Sequence, residues 1–358
     1  MLSLKSLRLL RTHCFFGDCT FVQVRDIQDI AMKYGLKCVS KRPAIAKRGF
    51  RAGVVLACVL MLGPPVAKAQ ATDQVASGLP ELYSSMVQPG IEIVPGLPKP
   101  IQPPLLIAAQ GIPDRQILLK QLAGRHSWEK FSRDSVAAPV HIEVNYLQDV
   151  AGKRVGHSLY SAFIVYAPLS SIQDKQLMES LFGSSREDQE QLGFEPEAIP
   201  ESVLQLAGIG QVDKKLERYS TLHLPLMNRV TLRGTARIET YSDQRYSLVS
   251  WQLDPHFTFP EGATVPDTLA KFVNHSVKVQ RDDLGRISQS PAVPYIGCGG
   301  YLCVQETGLA DNQLLIESRL VLHEPDHWFS GSNFLRSKFP TVLQESAQSF
   351  RRKLASSK

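Results

Sequence analysis

His323-Glu324-Pro325-Asp326-His327 has the H-E-x-x-H spacing with which a helix holds zinc: the two histidines bind the metal and the glutamate activates water. Glu345, 18 residues on, would complete a three-ligand set with His323 and His327. That chemistry depends on both imidazoles sharing one helical face. Pro325 opposes it, because a proline pushes the preceding residue into extended backbone and its ring cannot join helical hydrogen bonding. The approach, Leu314-Leu-Ile-Glu-Ser-Arg-Leu-Val-Leu322, reads as an apolar strand. The pentapeptide is therefore expected to be a strand end and turn, with Asp326 capping the next segment of chain. A zinc-dependent hydrolase acting through His323, Glu324 and His327 remains a rival reading rather than the primary one.

Other chemical templates are less complete. Gly156-His-Ser-Leu-Tyr160 lacks the second glycine of a nucleophile elbow, and Gly208-Ile-Gly210 lacks the remainder of a dinucleotide loop. His223, His256 and His275 stand singly in strand patterns and read as ordinary core or surface residues. Cys298 and Cys303 bracket Gly299-Gly300-Tyr301-Leu302, a spacing unlike a zinc knuckle. They are a disulfide candidate, with the glycines allowing a tight turn; the alternative is two small buried hydrophobes in a strand.

The elements that must position these residues follow from periodicity. Residues 114–122 have a short helical pattern. Residues 140–146 and 158–167 read as strands, with the polar stretch 151–156 as a hairpin between them. Pro168 ends the second strand, and a helix is expected over 173–182. From residue 217 the period becomes two. At 229–240, Val230, Leu232, Ala236 and Ile238 alternate with Thr231, Arg233, Thr235, Arg237 and Glu239, as in a half-buried strand with one wet face. Residues 246–253, 272–280, 301–306 and 314–322 are further strands, with turns expected at 282–285 and 310–312. Leu335, Phe339, Leu343, Ser346, Phe350 and Leu354 recur three or four apart, giving a closing amphipathic helix. Pro340 either opens that helix or kinks a longer one.

The strand ending in Ile164-Val-Tyr-Ala-Pro168, then short helices, antiparallel strands and one long C-terminal amphipathic helix, resembles the START/polyketide-cyclase (helix-grip) superfamily over residues 157–354. The resemblance implies an α+β fold: a curved antiparallel sheet wrapped on a long C-terminal helix, with an apolar cavity between them. It implies binding of lipids, sterols or other hydrophobic molecules, with enzymes among the members. No site residue transfers from it. The strand before residue 150 and the long stretch at 184–216 depart from the minimal pattern.

The front of the chain is of another kind. Lys41, Arg42, Lys47, Arg48 and Arg51 precede an apolar run ending near Gly63, and small residues come next at Ala67, Ala69 and Ala71. This is the order of a secretory leader, and the run is shorter than the ~20 residues that span a bilayer. Residues 1–71 are thus an expected export leader. Translation from Met32 would bring it closer to ordinary length and leave 1–31 unmade. Residues 72–113 contain eight prolines and read as a Pro-rich tether, leaving 114–358 as a single α+β domain.

Charge follows the same division. The chain has 40 Lys and Arg against 34 Asp and Glu; the first 69 residues hold 12 of the cations and three of the anions, so 28 cations face 31 anions in the remainder. A mature net charge of −3 offers no basic face for nucleic acid. The expectation is an exported protein, periplasmic or secreted and without a transmembrane span in its mature form. It would bind an apolar small molecule or lipid without catalysis or a cofactor. A structural or interaction domain of the cell envelope is the third reading.

Overall fold

Ten strands of the described residues form one antiparallel sheet, and its two faces carry different cargo. The computed structural model describes residues 79–108, 115–172, 197–213, 216–227, 229–281, 287–329 and 333–356, all within the unit Arg51–Lys358. The expected leader, the helix at 173–182 and the turn at 282–285 lie outside them.

The helices are α1 (Glu81–Val87), α2 (Leu105–Ala108), α3 (Arg115–Leu122), α4 (Trp128–Phe131), α5 (Leu169–Ile172), α6 (Glu201–Leu206), α7 (Asp267–Ala270) and α8 (Phe334–Ser356). A small hairpin pairs β1 (Ile91–Val94) with β2 (Leu97–Lys99). The large sheet contains β3 (His141–Gln148), β4 (Arg154–Tyr166), β5 (Glu217–Leu226), β6 (Val230–Ser242), β7 (Tyr246–Leu253), β8 (His275–Arg281), β9 (Ile287–Gln289), β10 (Val293–Pro294), β11 (Cys298–Glu306) and β12 (Gln313–His323). Its order is β10-β8-β6-β7-β11-β12-β4-β3, with β5 added on β6 and β9 on β8. The sheet is curled, and α8 lies along its concave face in the helix-grip arrangement. The expected fold class is the observed one.

Strand parity explains the two faces. Along one ladder Trp251 opposes Gly300, Gly300 opposes Leu320, and Leu320 opposes Leu159. Alternate residues from that row (Leu222, Leu232, Ile238, Leu302, Ile316 and Phe163 among them) build one apolar layer with Leu335, Phe339, Val342, Leu343, Ala347, Phe350 and Leu354 of α8. Pro340 lies inside the helix rather than opening it. It removes the hydrogen bond to the Arg336 carbonyl. Arg336 and Pro340 are both exposed, so that loss falls on the wet side, where water can serve. Arg351 is buried at the far end, donating through Nε to the Ile164 carbonyl (3.1 Å) and through Nη1 to the Ala138 carbonyl (2.5 Å). Burial pulls its guanidinium down to about 10.

The outer face corrects two expectations. First, the tether assigned to 72–113 is folded where it is described. Leu82, Tyr83, Met86, Ile91, Ile93 and Ile101 pack on Tyr246, Leu248, Tyr301, Cys303 and Val321 of the sheet. Its described prolines flank short elements, Pro80 and Pro104 before helices and Pro89, Pro95 and Pro100 after a helix and strands, while Pro98 lies inside β2, so the fold takes in residues well before 114. Second, the face of β6 expected to be wet is largely covered: Thr231, Thr235 and Glu239 are buried, and Arg233 and Arg237 are half-buried.

Two carboxylates anchor this covering segment. Glu239 accepts the backbone N–H of Leu82 at 2.7 Å. Glu317 accepts that of Leu105 at 3.0 Å, together with the Tyr160 hydroxyl at 2.7 Å and the Gln305 amide at 2.5 Å. The first N–H groups of a helix have no internal acceptor, so an acidic side chain at that end satisfies them. Burial raises the pKa of both glutamates, against the donors that lower it.

Candidate functional site

The space under α8 is where the fold could hold a ligand. Its lining is apolar from β5 across to β4, with Leu222, Ile238, Leu302 and Phe163 buried in it and Val140, Ile142, Val144, Met227, Val249 and Phe334 packed against it partly buried. Phe163 meets Phe350 edge to face at 6.0 Å, with the Arg351 guanidinium 5.2 Å from the Phe163 ring. A separate surface pocket of about 410 Å³, part of it open solvent, lies outside this layer between Ile107, Arg115, Arg245 and Tyr246.

A polar cluster closes one end of the apolar layer, beside the start of α8. His157 opposes Leu322 on β12 and so shares the concave face. Its ring lies edge to face with Phe339 at 6.0 Å and 5.4 Å from Tyr146. Nε2 contacts the Glu324 carboxylate, whose other oxygen takes Arg154 Nη2 at 3.3 Å. Arg154 Nη1 and the Tyr146 hydroxyl both donate to Asn333 Oδ1, at 3.3 and 2.7 Å. The Asn333 carbonyl accepts the Ser337 N–H, so the cluster ties the sheet to the first turn of α8. His157 and Glu324 are buried, at 0% and 5% exposure.

The residues singled out by H-E-x-x-H take separate places. His323 is the last residue of β12, Glu324 comes next without regular structure, and His327 lies in the turn beyond it, so no helix carries the pentapeptide. Glu324 is held by His157 and Arg154 rather than set beside a zinc water. His323 stacks on Tyr295 at 5.9 Å, and burial, with His327 as the next cause, pulls its imidazole down to about 4. Glu345 is exposed on α8. Among the described residues there is no cluster of three possible metal ligands.

The disulfide candidate is corrected. Cys298 and Cys303 are both in β11, five residues apart, and belong to different apolar clusters on opposite faces. At ~3.3 Å per residue the separation is ~16 Å, far beyond the ~7 Å limit for a bridge. The glycines between them are strand residues: a Cβ on Gly300 would lie 2.0 Å from the Arg319 carbonyl oxygen, so close strand approach is their role. Burial raises the Cys303 thiol well above its usual range. Among the lone histidines, His256 contacts Asp254 at 2.7 Å and His275 the Val273 carbonyl at 2.7 Å. His223 is lowered to about 4, by burial first and then Arg233.

Sequence reasoning missed His157 and Arg154. The available signal was parity: His157 shares the alternation of Leu159 and Phe163, which marks it as inward-facing, but its partner lies 167 residues away.

No family model matches the chain, nor does any curated protein. Solved structures do match. Human StAR-related lipid transfer protein 5 aligns with 60% of this chain and 82% of its own, at 12% identity and a TM-score of 0.33. Human STARD10 aligns with 59% and 69%, at 9% identity and 0.32. CalU16 from Micromonospora echinospora aligns with 61% and 97%, at 9% identity and 0.21. The chain is thus similar to START-type structures, and the fold itself rests on the strand order and the gripped α8.

Proposed function

We propose that this domain binds an apolar small molecule or lipid between α8 and the concave face of the sheet, without catalysing a reaction on it. The observation that carries the reading is the continuous apolar layer beneath a single helix, running across strands from β5 to β4. Binding by burial needs area, at ~25 cal/mol per Å² of apolar surface, and few fixed polar groups. The ionisable groups at the end of the layer hold one another: Glu324 is shared by His157 and Arg154. In the same reading the protein is exported, with its leader removed near Ala69 or Ala71, on the strength of the basic-apolar-small order at 41–71.

The bulky side chains of the layer, Phe163 edge to face on Phe350 among them, favour a second reading, an envelope interaction domain with a filled core. Native mass spectrometry of the purified protein separates the two. A co-purified apolar molecule, released on denaturation, supports binding. A ligand-free protein that also fails to take up a fluorescent fatty acid sinks the binding reading and leaves the filled core.

A further inference from the structure

Besides Nε1 of Trp328, two ring nitrogens in the concave layer are buried without a hydrogen-bond partner among the described residues. One is Nδ1 of His157, whose Nε2 is engaged by Glu324; the other is Nε1 of Trp251. Both residues are 0% exposed. Buried polar atoms are almost always paired, and an unpaired one in a native interior asks for a partner that the described residues do not supply. The ladders place them on one face. Trp251 is level with Leu159 through Gly300 and Leu320, and His157 lies two residues from Leu159 on β4. Three strand spacings across and two residues along put the two backbones ~16 Å apart.

We propose that the ligand under α8 is an oxygenated hydrophobe: an elongated apolar molecule with a hydroxyl at His157 and a second oxygen near Trp251. This rests on the binding reading above and adds the polar chemistry of its site. With Nε2–H donating to the Glu324 carboxylate, a neutral imidazole leaves Nδ1 as an acceptor, and a protonated one leaves it as a donor. A hydroxyl serves either form, and a hydrocarbon serves neither. With a neutral imidazole, Glu324 and Arg154 already balance one another, and a carboxylate would bring a second negative charge with no cation left for it, so the cluster selects an alcohol over an acid. The Trp251 indole only donates, so its partner is an acceptor: a hydroxyl, ketone or ester oxygen.

The test measures displacement of 8-anilinonaphthalene-1-sulfonate from the purified full chain by decane, 1-decanol and decanoate. The expected result is 1-decanol binding ~10-fold more tightly than either other probe, the effect of one added hydrogen bond in a dry site. His157→Phe should remove that advantage, bringing 1-decanol and decane to the same affinity. Because His157→Phe strands Glu324 and can impair folding, ¹⁵N NMR of the unsubstituted protein provides the second measurement. The His157 Nδ1 resonance should move on adding 1-decanol and stay still with decane. If decane and 1-decanol bind alike and the resonance does not move, the polar subsite is overturned while binding by burial stands. If none of the three probes displaces the dye, the binding reading fails, and this one with it.

Discussion

Ile93→Ala distinguishes a folded N-terminal segment from a tether. Ile93 lies in β1, is 0% exposed and belongs to the cluster that covers the outer face of the sheet. Removing three carbons from full burial costs ~2.4 kcal/mol of transfer free energy, at ~0.8 per group. A cavity term adds to this and brings the expected loss to ~3 kcal/mol, within the ~2–5 seen for such truncations. Collapse around the gap is limited. The backbone of Ile93 is pressed against the sheet so closely that a Cβ on Gly297 would lie 2.1 Å from its carbonyl oxygen. Urea unfolding followed by tryptophan fluorescence should show a lower midpoint at an unchanged slope. Val150→Ala, at a side chain 98% exposed, is the control and should stay within ~0.5 kcal/mol of the parent. An Ile93→Ala variant that also stays within that margin would refute the packing and restore the tether.

Four more outcomes are expected. Phe339→Ala, at a fully buried position on α8, should cost ~3–5 kcal/mol in the same assay, and a loss below ~1 would make the helix an appendage. Because the imidazole of His323 is lowered from 6.5 to about 4, the unfolded chain takes up a proton in that window that the native one refuses; its contribution therefore falls as pH drops from 6.5 to about 4. His323→Gln should flatten that part of the stability–pH curve, and an unaltered curve would contradict the assignment. Dithiothreitol should leave the unfolding midpoint in place, since Cys298 and Cys303 are on opposite faces; a fall in the midpoint would restore the bridge. Finally, the purified protein should show no stoichiometric zinc that is lost on His327→Ala, and metal analysis giving such zinc would revive the hydrolase.

The sheet and α8 were legible because apolar residue type recurs with the period of the element: every two residues in β6, at Val230, Leu232, Ala236 and Ile238, and every three or four from Leu335 to Leu354 in α8. Pro325 was equally legible, since its effect is local. The covering segment was not. Its elements are too short for a period to register, and its eight prolines resemble those of a linker. Ile91 and Ile93, alternating, and Leu82, Tyr83 and Met86, on one helical face, were the faint signs. Glu239 reads as a wet-face residue because charge normally marks solvent; only the helix start that docks on it reverses that. The His157–Glu324 pair joins β4 to the end of β12, a contact that no local pattern contains.

β12 lies between β11 and β4, and that placement sets an order of assembly. The β3–β4 and β11–β12 hairpins and the β5–β6–β7 run each close over short distances along the chain. β4, however, pairs with a strand about 160 residues later, as in Leu159 with Leu320. During synthesis, half of the sheet therefore waits with an open edge until residues 313–323 emerge, and α8 comes later still. Non-local pairing of this kind is slow and leaves unpaired strand edges exposed meanwhile. The chain should stay unfolded and vulnerable to aggregation for most of its translation, and then close in a late step as β12 docks beside β4.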